Sequence, residues 1–174
     1  MMRNWRSTPD IISNLPSNIM ETILKYLPLR DAGRTSVLSR RWRYKWVTLP
    51  QLVFQNQFFV SSGDTEKIKV IIYQVLLLHQ GPLVEFKLCN PPFGSCLDIN
   101  NWIPMLSKKN IQEFTLCLDL GPRHELRCDL FSFLRLKHLT LCGCVFKPPP
   151  AFKGFTRLVN LNLWNVNITP EMVG

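Results

Sequence analysis

The chain has 174 residues, with 21 Lys+Arg against 12 Asp+Glu, a formal charge of +9 and a pI near 9.5. Apolar residues make up 46% of it, including 11 Phe and 5 Trp. That content excludes a disordered chain and is enough for one core, or one core with a small companion unit. Nine bases and three acids fall in residues 1–50, against twelve and nine in the remainder. The cationic excess therefore belongs to the first third, and nucleic acid or an acidic protein is the first partner to weigh.

Residues 1–10 contain no apolar run of the secretory type. The longest greasy stretch, Val70–Leu78, is interrupted by Tyr73 and Gln74 and is far short of the roughly 20 residues a membrane-spanning helix needs. A soluble, intracellular protein (cytoplasmic, nuclear or both) is expected, with no membrane partner.

Between Ile11 and Trp46 apolar positions recur at helical spacing. Pro16 presets a first helical turn, with Ser17 or Asn18 as its cap. Ile19, Ile23 and Leu27 then lie at i, i+4 and i+8, flanked by Met20 and Leu24, until Pro28 ends the helix. Asp31 opens a second helix to about Thr35. Ser39 caps a third, SRRWRYKW, with Trp42 and Trp46 one turn apart on one face. Three short helices make a core that is marginal on size alone, so this unit is expected to lean on a partner, with Trp as the anchor.

Leu15-Pro16, Ile19, Ile23-Leu24, Leu27, Asp31, then Val37-Leu38-Ser39-Arg40-Arg41-Trp42-Arg43 and Trp46 resemble an F-box in register across some forty residues. The resemblance implies docking on the Skp-type adaptor of a cullin–RING (SCF) ubiquitin ligase. It places adaptor contact on Leu15, Pro16, Ile19, Ile23, Leu24, Leu27, Val37, Leu38, Trp42 and Trp46. Ser17 and Asn18 stand where many F-boxes carry acids, a difference that bears on the choice among adaptor paralogues. The competing reading takes Arg34, Arg40, Arg41, Arg43 and Lys45, interleaved with Trp42, Tyr44 and Trp46, as a nucleic-acid surface. It is the weaker one. The third helix has to bury its tryptophans, and it lacks the Asn or Gln that pair with adenine.

Beyond Pro50 the pattern changes. Residues 66–79 read as a helix crowded by Ile68, Ile71, Ile72, Val75, Leu76 and Leu78, and 101–109 and 129–135 read as shorter helical turns. Four segments share the form L-x-x-L-x-L: Leu83-Phe86-Leu88, Ile111-Phe114-Leu116, Leu136-Leu139-Leu141 and Leu158-Leu161-Leu163. Their starts are 28, 25 and 22 residues apart, within the approximate 20–29 range of leucine-rich repeats. Only Cys144 fills the Cys/Asn position that follows such a motif; Pro91, Asp119 and Val166 stand at its equivalents. Alternation along each strand turns the second and third apolar residues inward. It leaves Glu85, Lys87, Glu113, Thr115, His138, Thr140, Asn160 and Asn162 on an open face as the candidate target-binding surface. Cys89, Cys117, Cys142 and Trp164 share the next register position, and Trp164 joins that surface. Gly81-Pro82, Pro91-Pro92, Gly121-Pro122 and Pro148-Pro149-Pro150 mark loops.

The six cysteines include no C-x₂-C pair, and Cys142-x-Cys144 with His138 nearby is at best half a metal site. Reduced thiols packed as small apolar groups are expected, with no metal and no cofactor. His79, His124 and His138 are scattered, His79 as a helix C-terminal cap, and no catalytic string occurs. No enzyme activity is expected.

The order of these parts, with LLLHQGP, LKHLTLCGC and FKPPPAFKGFTRLVNLNL, resembles plant F-box/leucine-rich-repeat proteins, including those with a C-terminal FBD region. The expected fold is α+β of the repeat type. A three-helix F-box over 10–55 precedes an irregular leucine-rich-repeat solenoid over 64–174, with a parallel sheet on one face. The resemblance implies a substrate receptor for protein ubiquitination, partnered by the adaptor, through it by cullin and RING subunits, and by a target protein the sequence does not identify. Family members continue through more repeats and an array needs a polar cap, so a truncated form, acting as a receptor or as a competitive regulator that occupies adaptor, is also expected.

Overall fold

The computed structural model describes residues 10–59, 64–92, 97–118, 123–126 and 128–169. Expectations placed on Cys96, Asp119, Gly121-Pro122 and the last five residues lie outside this set. The chain divides into two compact units, residues 1–46 and 47–174.

The first unit holds α1 (Ser17–Tyr26) and α2 (Leu29–Arg34), followed by a 3₁₀ turn at Thr35–Val37. Pro16 and Pro28 occupy the N-cap positions with extended ψ, 148° and 143°. Neither cap is closed by a side chain, so Ser17 is the first helical residue and not the cap. The second helix begins at Leu29, which puts Asp31 inside its first turn, 3.4 Å from Arg34.

The third segment departs most from expectation. Residues 40–44 are turns and Lys45–Thr48 is a 3₁₀ helix, with no α-helix over SRRWRYKW. Its hydrogen bonds close at three-residue spacing, Trp42 N to Ser39 O at 3.1 Å and Lys45 N to Trp42 O at 3.1 Å. Three distant ties hold that path. The Trp42 indole N–H donates to Ile12 O at 3.0 Å, Arg41 donates to Ser13 O at 3.3 Å, and the Ser36 hydroxyl donates to Arg43 O at 2.6 Å. A continuous helix would swing the indole off its acceptor.

The second unit is built on a five-stranded parallel sheet of β1 (Gln51–Phe54), β2 (Glu85–Cys89), β3 (Glu113–Cys117), β5 (His138–Cys142) and β7 (Asn160–Trp164), in that order. Short strands β4 (His124–Glu125), β6 (Cys144–Phe146) and β8 (Asn167–Ile168) form a second parallel sheet. The crossovers carry α3 (Asn56–Phe59), α4 (Thr65–Leu78), α5 (Leu97–Ser107) and a 3₁₀ helix at Cys128–Ser132. The 129–135 turn is therefore 3₁₀, and the helix expected from residue 101 starts at 97. The Asp64 carboxylate starts α4 by accepting from Glu66 N and Lys67 N.

The ladder repeats one hydrogen-bond pattern. At each strand start two consecutive N–H groups converge on one carbonyl of the preceding strand. Val84 and Glu85 donate to Pro50 O, Gln112 and Glu113 to Val84 O, Lys137 and His138 to Gln112 O, and Val159 and Asn160 to Lys137 O. At the strand ends Asn90 N–H donates to Cys117 O, Leu118 N–H to Cys142 O and Gly143 N–H to Trp164 O.

The inward residues Leu52, Phe54, Phe86, Leu88, Phe114, Leu116, Leu139 and Leu141 are fully buried. With Ile68, Ile72 and Leu76 of α4 and Ile99, Ile103 and Leu106 of α5 they form the core. Phe54, Phe86, Phe114 and Phe133 run through it in a ring series, with centroids 5.9, 5.7 and 5.4 Å apart. The alternation fails at β7. Leu161, expected inside, is 47% exposed, whereas β1, at the other edge of the sheet, buries both Leu52 and Phe54.

Candidate interaction surfaces

On the first unit the ten residues that match the F-box pattern separate into two groups. Leu24 and Trp42 are 1% exposed and hold the unit together. Ile19, Ile23, Val37 and Leu38 are open at 41, 38, 88 and 46%. Pro16 is exposed, while Leu15, Leu27 and Trp46 are half-buried. The broad apolar stripe of α1 is thus split, with Met20 and Leu24 turned inward and Ile19 and Ile23 outward. Trp42 and Trp46 do not share a helical face. Ile11, Ile12 and Tyr26, which the sequence pattern did not single out, are also more than half exposed, as is Tyr44.

On the second unit the pairing register aligns the open-face residues in rows. Gln51, Glu85, Glu113, His138 and Asn160 form one; Val53, Lys87, Thr115, Thr140 and Asn162 form the next. Cys89, Cys117, Cys142 and Trp164 form the third. The surface expected from the sequence is therefore one contiguous grid, and β1 adds Gln51 and Val53 to it. Glu85 and Glu113 are direct neighbours of like charge. Burial first, and then the Glu113 carboxylate, raise the Glu85 carboxyl above its ordinary value, against the pull of Lys87. Asn162 donates to the Thr140 hydroxyl at 3.5 Å, and Trp164 is 67% exposed.

Cys89, Cys117, Cys142 and Cys144 carry thiols. Burial, followed by the neighbouring Cys142 and Cys117, pushes the Cys144 thiol up to about 12, which makes it a packing group and not a nucleophile. Among the described residues no group of three or more His, Cys, Asp or Glu is placed to hold a metal ion.

His138 is exposed on the sheet and His79 is buried at the end of α4, while the His124 side chain lies outside the described set. His79 caps α4 through its backbone N–H to Val75 O at 3.0 Å, as its position predicts. Its Nε2 is 2.8 Å from Leu49 O, which makes Nε2–H the donor and leaves Nδ1 without a partner. Burial depresses the imidazole below its ordinary 6.5, with Lys109 adding to that and the Leu49 hydrogen bond opposing it. Between pH 6.5 and the lower folded value the unfolded state binds the extra proton. Stability is therefore complete above pH 6.5 and falls as the pH drops below it. Urea midpoints from pH 7.5 to 5 are expected to decline in wild type, and to decline less in His79→Gln; equal slopes would remove His79 from the effect.

An F-box domain model matches residues 12–53. An F-box/FBD/LRR-repeat protein of Arabidopsis thaliana is 45% identical over 95% of this chain and 41% of its own length. An F-box/LRR-repeat protein of the same plant is 32% identical over 94% and 35%, and an FBD-associated F-box protein is 30% identical over 91% and 39%. The chain spans about two-fifths of the length of these curated relatives. No solved structure matches it.

Proposed function

Because the chain belongs to the plant F-box/LRR-repeat proteins of the FBD type, we propose that it is a non-catalytic substrate receptor of a cullin–RING (SCF-type) ubiquitin ligase. F-box proteins of this kind are generally SCF substrate receptors, and the family's members are typically non-catalytic. No helix among the described residues is long and apolar enough to cross a membrane. The receptor docks on a Skp-type adaptor through its first unit and offers the open sheet face to a protein target. It contributes to ubiquitin transfer by positioning and not by chemistry.

The observation that carries this reading is the set Ile19, Ile23, Val37 and Leu38, branched apolar side chains left in solvent by a unit too small to bury them. In the docked state they face the adaptor, together with Leu15, Pro16, Leu27 and Trp46, while Leu24 and Trp42 act from within. The recurrent hydrogen-bond pattern of the sheet supports a leucine-rich-repeat solenoid for the second unit. The target contacts are Glu85, Lys87, Glu113, Thr115, His138, Thr140, Asn160, Asn162 and Trp164.

Titration calorimetry against a purified Skp-type adaptor tests the docking half. Ile23→Asp and Val37→Asp are each expected to weaken binding about 30-fold, the scale of one interface hot spot, while Thr115→Ala binds as wild type. A folded wild-type chain that binds no adaptor defeats the proposal. Strongly salt-dependent binding of DNA or RNA would instead assign the basic segment Arg40–Lys45 to phosphate.

A further inference from the structure

Within the second unit a cavity of about 410 Å³ opens between the C-terminal ends of α4 and α5. Its floor is Leu76, Leu83 and Leu106, all at most 5% exposed, and Leu77 and Met105 form its sides. Lys108 and Lys109 complete the lining, and among the described residues no acidic side chain lines it. The size falls in the approximate 300–1,000 Å³ range of small-molecule sites, and an apolar wall with a few convergent polar groups is their usual lining.

The electrostatics decide the class of occupant. Two helix C-termini point at the cavity, each equivalent to roughly half a negative charge. Two lysines carry two full positive charges there, so about one positive charge remains uncompensated. Lys109 spends one of its hydrogens on His79 O at 3.2 Å and keeps two. His79 belongs to the same wall, but its Nδ1 is an acceptor and offers nothing to an anion, so the lysines are the donors this wall presents.

We infer that this cavity binds a small amphipathic anion, its apolar body on the leucine floor and its acidic head at Lys108 and Lys109. The cavity shares no residue with the surfaces proposed for adaptor and target, so its occupancy does not depend on either reading.

The probe is 8-anilinonaphthalene-1-sulfonate, titrated into the full chain and followed by fluorescence, with decanoate and decanol as competitors. A saturable single-site rise is expected, and decanoate is expected to displace the dye at least about tenfold better than decanol. Lys108→Glu, on an exposed side chain, is expected to weaken the dye about tenfold, and Leu77→Trp to block it by filling the mouth. Both variants should keep the wild-type unfolding transition. Non-saturable fluorescence, decanol competing as well as decanoate, or both variants binding like wild type would overturn the inference. Adaptor affinity is expected to be the same in both variants, so failure here leaves the receptor proposal untouched.

Discussion

Phe114→Ala is expected to destabilise the sheet unit by about 4 kcal/mol, the upper range for a buried aromatic cut to a methyl. Phe114 is wholly buried in the middle strand of the ladder. Its ring stacks on Phe86 at 5.7 Å and 18° and meets Phe133 edge-on at 5.4 Å. Removing it leaves a void with sheet on both flanks and α-helical and 3₁₀ crossovers above, none able to collapse without breaking ladder bonds. Total stabilities are about 5–15 kcal/mol, so the loss takes a large share of the whole. Urea midpoints followed by far-UV circular dichroism measure it. Thr115→Ala, one residue along the same strand and on the open face, is the control and should stay within about 0.5 kcal/mol. Equal shifts in the two variants would mean that the strand's faces are assigned the wrong way round.

The two strand faces were the part of the fold most open to sequence reasoning. Phe86-Leu88, Phe114-Leu116 and Leu139-Leu141 alternate with polar neighbours, and a period of two leaves only one way to turn them inward. The match of Cys89, Cys117 and Cys142 follows from the same register. Helix α4 was legible for a similar reason, since fourteen residues are long enough for a period of 3.6 to register. Strand β1 was not. Leu49-Leu52-Phe54 completes the same L-x-x-L-x-L form with all three buried, but Leu49 stands 34 residues before Leu83, outside the approximate 20–29 repeat spacing. Strands β4, β6 and β8 run two or three residues, too short to carry any period.

The first unit shows where pattern and packing part. The spacing of Ile19, Ile23 and Leu27 announces a helix but not which side of it is covered, because Met20 and Leu24 form a second, shorter stripe one residue on. Packing chose the second stripe, which left the branched residues outside. Around Trp42 local helix propensity lost to a single tertiary hydrogen bond and its neighbours, from the indole to Ile12 O and from Ser36 to Arg43 O. The indole tie spans thirty residues and is invisible to a windowed reading. It also accounts for the basic cluster. With Trp42 turned inward, Arg40, Arg41 and Arg43 are exposed on the turns.

Gly143→Ala is expected to cost about 4 kcal/mol or more, and Gly143→Asn to be as damaging. Strands β2, β5 and β7 each leave the sheet through a residue of positive φ: Asn90 at 50°, Gly143 at 71° and Asn165 at 51°. Asn tolerates that region, and for an ordinary L-residue it costs roughly 1–2 kcal/mol. Backbone conformation alone would therefore permit Asn at 143. The surroundings do not, because a Cβ there would stand 1.8 Å from Leu118 O and 2.9 Å from its carbonyl carbon. Leu118 is not free to retreat, since its N–H holds Cys142 O at 3.0 Å, while Gly143 N–H holds Trp164 O at 3.1 Å. Relief of the overlap breaks at least one of those bonds between β3, β5 and β7. Thermal unfolding of Gly143→Ala, Gly143→Asn and Asn165→Ala separates the two causes. If conformation alone governs, Gly143→Asn unfolds near wild type; if the close approach governs, both Gly143 variants fall together and well below Asn165→Ala.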